Sequence, residues 1–146
     1  MRTQLLSGLL AVFVVAAAPV SAPAQSNEQA VEAAKQAAQD WFVLLDADKY
    51  KATWEEGATF FKSKISAEQW AAQIRRAHRS LDSLQSRSLA AARYTTSMPN
   101  APEGEYVFAQ YRATYGDQNT VETVSLKKDQ GEWRVAGYFI KPASQQ

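Results

Sequence analysis

Cysteine is absent from this chain, which excludes a disulfide, a thiolate metal site and a cysteine nucleophile. A single histidine, His78, excludes any centre built on two. Charge of one sign is lacking too: sixteen Lys and Arg stand against fifteen Asp and Glu. Without a basic excess to neutralise a phosphate backbone, nucleic acid is not an expected partner. No nucleophile elbow, phosphate loop or dinucleotide turn occurs. Glycine and proline are scarce, at six and five in 146 residues, and 46% of the chain is hydrophobic. That is the balance of one folded domain, not of a disordered or low-complexity chain.

The longest apolar run, residues 5–18, is broken only by Ser7 and Gly8 and is too short to span a bilayer. Arg2 precedes it, and Ala22-Pro23-Ala24 follows with the small-x-small arrangement of an export signal. The expectation is a signal peptide over residues 1–24, cut after Ala24, because a cut after Ala22 would place Pro23 first. No cysteine follows the run, so a lipid anchor is not expected. The remaining single domain, residues 25–146, is then periplasmic or secreted. Only Arg2 among the charged residues goes with the signal, so the charges left are balanced. Four tryptophans and six tyrosines supply large side chains for a core that must hold without disulfides.

Residues 27–46 read as a helix, with Ala30, Val31, Ala34, Ala37, Ala38, Trp41, Phe42, Leu44 and Leu45 on one stripe and Glu32, Lys35, Gln36 and Gln39 opposite. Ser26 and Gln29 have the spacing of a capping box at its start. A second helix is expected from about Asp48, with a break at Gly57. A third follows Ser66, again with a capping box (Ser66 and Gln69), and an apolar face of Ala67, Trp70, Ala71, Ile74, Ala77 and Leu81. Near Ser86 the period changes to two. Strands are expected over 86–96, 105–115, 120–128 and 132–141, separated by the loop 98–104, a turn at 116–119 and a tight hairpin at Asp129-Gln130-Gly131. Helices followed by a four-stranded antiparallel meander predict an α+β fold, a curved sheet wrapped on its helices with a concave mouth suited to a pocket.

Trp41, Leu44-Leu45-Asp46, Tyr50, Thr53-Trp54-Glu55, Ile65-Ser66, Gln69-Trp70, Arg79 and Ser86-Arg87 occur in order. Met98-Pro99, Gly104-Glu105-Tyr106-Val107, Glu122-Thr123-Val124 and the closing run from Gly131 to Ile140 follow. Together they resemble the bacterial family called domain of unknown function 4019, over essentially the whole of residues 25–146. The resemblance implies a cone similar to the nuclear-transport-factor-2-like (cystatin-like) superfamily, whose members include isomerases, dehydratases and non-catalytic binding domains. It implies export and no particular activity.

Glu122 is the residue that alternation makes interesting. It shares a strand face with Val124 and Leu126, the face expected to look inward. A carboxylate there loses solvation and needs a cation or a neutral form. It is either a general acid/base in a sheet-lined pocket or one half of a structural ion pair with Arg79, Arg87 or Arg112. Buried carboxylates are usually paired, which favours the second. His78 lies at helical spacing with Trp70, Ile74 and Leu81. A lone histidine there is more often a satisfied half-buried side chain than half of a catalytic dyad.

The aromatics Trp54, Trp70, Tyr94, Tyr111 and Tyr138 can line a ligand pocket or simply fill a core. With Glu122, Arg79, Arg87 and His78, four of them (Trp54, Trp70, Tyr111 and Tyr138) make the candidate ligand site. Asp46 and Asp48 are better read as helix caps than as a metal pair. Lys127-Lys128 and Arg75-Arg76 read as short solvated pairs, not a nucleic-acid or membrane patch. No cofactor or metal is expected, and no membrane partner once the signal is removed.

Two function classes stand: a non-catalytic exported domain binding a partner protein or a small apolar ligand, and a small isomerase-, dehydratase- or hydrolase-like enzyme using Glu122. The binding domain is preferred. Pairing of two copies through the sheet is compatible with it, because Tyr106 and Phe108 put large apolar groups on the face opposite Val107, Ala109 and Tyr111.

Overall fold

In the computed structural model, residues 23–144 are described, so residues 1–22 of the expected signal segment 1–24 lie outside them, as do Gln145 and Gln146. Four helices precede four strands: α1 (Pro23–Asp46), α2 (Tyr50–Glu55), α3 (Thr59–Lys64) and α4 (Ala67–His78), then β1 (Leu84–Thr95), β2 (Tyr106–Tyr115), β3 (Gln118–Asp129) and β4 (Glu132–Pro142). The strands form one open antiparallel sheet in the order β1-β2-β3-β4. The chain is therefore α+β, helices followed by a four-stranded antiparallel meander.

The expected 3.6-residue stripe is the buried stripe of α1: Ala34, Ala38, Trp41, Phe42 and Leu45 are each at most 4% exposed. Ser26 does not cap this helix. It lies inside α1, which is already helical at Pro23, a residue tolerated in a first turn. Gly57 breaks the expected second helix into α2 and α3. A Cβ there would sit 2.6 Å from a ring carbon of Phe61, so only glycine lets the two short helices close up. Ser66 and Gln69 form the expected capping box of α4. Within α4, Trp70, Ala71 and Ile74 are buried, but Ala77 is exposed, in a cleft it shares with Leu81 and Ile140.

Three indole N–H groups tie the helices together. Trp41 donates to the Thr53 carbonyl (3.0 Å), Trp70 to the Thr53 hydroxyl (2.9 Å) and Trp54 to the Ile65 carbonyl (2.8 Å). Each large ring thereby buries its apolar body without leaving a polar atom unpaired.

Period-two alternation holds along β2 and β3. Val107, Ala109, Tyr111, Ala113 and Tyr115 are buried, as are Thr120, Glu122, Val124 and Leu126. Both tight turns use positive φ: Gly116 (60°) between β2 and β3, and Gln130 (51°) with Gly131 (83°) between β3 and β4. The first turn is shorter than expected, so β3 begins at Gln118. In β4 a bulge lies opposite Ser125 and Leu126, and it brings both Val135 and Tyr138 to the inward face. That face is filled by α1, with Trp41 against Tyr138 (5.3 Å) and Phe42 edge-on to Tyr111 (5.0 Å between centroids).

Candidate functional site

Glu122 is fully buried in the middle of the inward face. β1 carries Arg87 to it, with Nε donating to one carboxylate oxygen at 2.6 Å and an Nη to the other at 3.3 Å. Tyr115 and Tyr138 each donate a hydroxyl hydrogen to that second oxygen at 2.7 Å. Glu122 thus accepts four hydrogen bonds, one on the first oxygen and three on the second. The guanidinium is shared. Its two Nη atoms reach Asp46, at the end of α1, at 2.7 and 2.9 Å, and one also donates to the Tyr115 hydroxyl at 2.9 Å. Its carbon lies 3.9 Å from the centre of the Phe42 ring. Arg87 therefore joins helix to sheet through two carboxylates and one aromatic face.

His78, the last residue of α4, extends this network outward, with Nε2 3.1 Å from the Tyr138 hydroxyl. Tyr138 has one hydroxyl hydrogen and spends it on Glu122, so His78 is the donor in this bond. Neutral His78 then carries its proton on Nε2, leaving Nδ1 as an acceptor.

Electrostatics follow the geometry. Burial alone would lower the Arg87 pKa, but the hydrogen bonds to Asp46 and Glu122 outweigh it and hold the group above its ordinary value. Burial, with the adjacent Glu122 charge, raises both Tyr115 and Tyr138. Burial lowers His78, against the opposing pull of Glu122 and Asp46. Tyr50 is pushed up to about 12 by burial and by its 2.6 Å bond to Asp48.

A cleft of about 610 Å³ opens at the outer end of the network, lined by Asp46, Asp48, Tyr50, His78, Asp82 and Tyr115 among others. Chemically, the arrangement is a buried, hydrogen-bonded ion pair with a histidine at its solvent end. No group of three or more metal-ligating side chains occurs among the described residues.

Of the expected site residues, Glu122, Arg87, Tyr138 and His78 come together, and Tyr111 lies beside Glu122 in the β2–β3 register. Trp54 and Trp70 are committed to the helix packing described above. Arg79 is exposed at the end of α4, and Arg112 sits on the opposite face, across from Val121. Neither reaches Glu122. Asp46 and Asp48 do not cap α2, whose N-cap is Lys49 with no side-chain cap. Asp46 instead pairs with Arg87, while Asp48 adopts a positive φ of 59° and accepts from Tyr50. Alternation along β2 could have found Tyr115, which shares its parity with Tyr111 and Ala113. No local signal marks Asp46 as an ion-pair partner.

These features define an α+β domain whose helices are fastened to an open sheet by one buried Asp–Arg–Glu cluster. The chain matches the family described as protein of unknown function (DUF4019) over residues 37–138, and it belongs to that family. No curated protein matches it.

Proposed function

We propose that this protein is an exported bacterial binding domain without catalytic activity, its sheet a cone of the nuclear-transport-factor-2-like kind. The observation that carries the reading is the burial of Glu122 in a pair with Arg87. An acid/base needs a proton route to a substrate, and this carboxylate is fully buried and committed to Arg87, Tyr115 and Tyr138. Its role is to hold β1, β3 and β4 to α1, which leaves ligand contact to the cleft beside His78 and to the surfaces.

The test is Glu122→Gln. Removing one partner strands the buried Arg87 charge, a loss of about 3 kcal/mol at the low end of the range for broken buried pairs, because Asp46 still holds the guanidinium. In a domain of this size that lowers Tm by on the order of 10 °C. A second change, Arg87→Met, should cost much less in the Glu122→Gln background than in the wild type, since the pair acts as a unit. A Glu122→Gln protein as stable as wild type would overturn the scaffold role.

The enzyme reading keeps one observation in its favour, namely that His78 lines the cleft with Nδ1 as a free-standing acceptor in its neutral form. It predicts turnover of a small metabolite that His78→Gln abolishes without loss of fold.

A further inference from the structure

The face of the sheet turned away from the helices has a composition that no stretch of sequence displays. The strand register sets its side chains in cross-strand rows: Thr95, Tyr106, Lys127, Arg134; then Arg93, Phe108, Ser125, Gly137; then Ala91, Gln110, Thr123, Phe139; then Ser88, Arg112, Val121, Lys141. Five of these residues are cations, and the register's acidic pair, Asp129 with Glu132, lies beyond them at the hairpin end, where Glu132 holds Arg134. Lys35, Lys51, Arg87, Lys128 and Arg134 have carboxylate partners within 4.0 Å, whereas Arg93, Arg112, Lys127 and Lys141, like Lys49, Lys62, Lys64, Arg75, Arg76 and Arg79 on the helical side, have none among the described residues. Arg93 lies over Phe108 and Lys127 over Tyr106, and the half-buried Lys127 also donates to the Lys128 carbonyl. Among them stands Phe139, 76% exposed, the most exposed large apolar side chain described.

We infer that this open face docks on an anionic phospholipid surface, with Phe139 entering the headgroup region and the four cations meeting lipid charges. The inference deepens the binding reading proposed above and rests on it. Charge complementarity selects the occupant. Two-residue steps along a strand and neighbouring strands spread the four cations over ~20 Å along the strands and ~15 Å across them, so they cannot converge on one small anion. A second copy of this chain would bring like charges together.

A stable protein interface wants a dry apolar centre. Here Phe139 has Thr123 across from it and Gly137 and Lys141 two residues away along its own strand, which suit a wet headgroup layer better. Single-stranded nucleic acid stacks successive bases on several free rings. This face has one, since Phe108 is covered by Arg93 and Tyr106 is fully buried.

The test uses the protein as recovered from its producing cell, its first residue fixed by mass spectrometry. It is sedimented with vesicles of phosphatidylcholine alone or mixed with an equal part of phosphatidylglycerol. Binding to the anionic vesicles only is expected. It should fade as ionic strength approaches 1 M, where screening acts over about 3 Å. Each cation removed should weaken binding about fivefold. Arg112→Glu/Lys141→Glu should therefore abolish it at unchanged Tm, and Phe139→Ser, at a site too exposed to disturb folding, should weaken it. Arg75→Glu/Arg76→Glu, on α4, should bind as wild type does.

Equal binding by the wild type and both sheet-face variants would overturn the inference. So would capture by soluble polyglutamate with no vesicle binding, which marks an acidic protein partner, or a dimer that Arg112→Glu/Lys141→Glu dissolves. None of these outcomes touches the Glu122 test, so the two proposals fail separately.

Discussion

At the scale of single residues, the buried network contains one misfit, and it makes a sharp prediction. Tyr111 is 5% exposed, and its hydroxyl makes no hydrogen bond among the described residues, although Tyr115 and Tyr138 both bond Glu122. A buried hydroxyl without a partner costs about 1–3 kcal/mol of desolvation. Tyr111→Phe keeps the ring contact with Phe42 and removes the misfit, so it should leave the protein as stable or stabilise it by about 1 kcal/mol. Tyr138→Phe should destabilise by a similar amount or more, since it removes a donor to a charged group and the partner of His78. Chemical denaturation of the two variants side by side checks both.

His78 predicts a pH response. Its pKa in the folded state lies below the ordinary value, chiefly through burial. The unfolded chain, at about 6.5, therefore takes up the proton first as pH falls. Stability is fully present above that pH and declines on acidification toward the folded value. Melting curves between about pH 7 and pH 5 should show this decline, and His78→Gln should flatten it. The Gln side chain can donate to Tyr138 in place of Nε2, so the variant should lose little stability at neutral pH.

At the scale of elements, the most informative contact joins α3 to the far end of the chain. Ala58, the N-cap of α3, has no side chain to satisfy the first helical N–H groups. Asp129, in the β3–β4 hairpin, accepts the Thr59 N–H at 2.6 Å, and the Ala58 N–H goes to the Val135 carbonyl at 2.8 Å. The bonds from Thr59 hold the Asp129 carboxyl below its ordinary range. Asp129→Ala should then cost about 1 kcal/mol, as a lost cap does. Its effect should appear in hydrogen exchange as earlier opening of α3, while α1 is unchanged.

A cap supplied from another element has no sequence signature, whereas the Ser66–Gln69 capping box, formed within four residues, was legible. The same divide runs through the whole reading. Periods of 3.6 and 2 revealed the helices, the meander and the inward place of Glu122, because those are local properties. The choice among Arg79, Arg87 and Arg112 was not local. Alternation could have dismissed Arg112, whose neighbours Tyr111 and Ala113 face inward. Irregularities between Leu84 and Ser86 and between Leu89 and Ala91 break the alternation of β1, so no parity argument could reach Arg87. The cationic face escaped for the same reason: its members are isolated in sequence and only the register assembles them.

At the scale of the whole molecule, cations gather on one face although the total charge nearly cancels. Arg93, Arg112, Lys127 and Lys141 stand on the open sheet face without a carboxylate partner among the described residues, and Asp129 and Glu132 lie only at its hairpin end. A net charge near zero therefore says little about what such a protein meets.

Export belongs to this scale, because it decides which surroundings the two sides face, and it can be tested against the packing. Burial in α1 begins only with the partly buried Ala30 and Val31 and the fully buried Ala34, while Ala24 and residues 26–29 are exposed. A cut after Ala24 would shorten the helix at an end that contributes nothing to the core. Mass spectrometry of the protein recovered from outside the cytoplasm should show a chain beginning at Gln25. That chain should melt at the same temperature as one beginning further upstream, since the helix stripe from Ala34 to Leu45 is untouched. A chain beginning at Met1, recovered only from the cytoplasm, would remove export from the proposed function and leave the fold and the Glu122 network as they are.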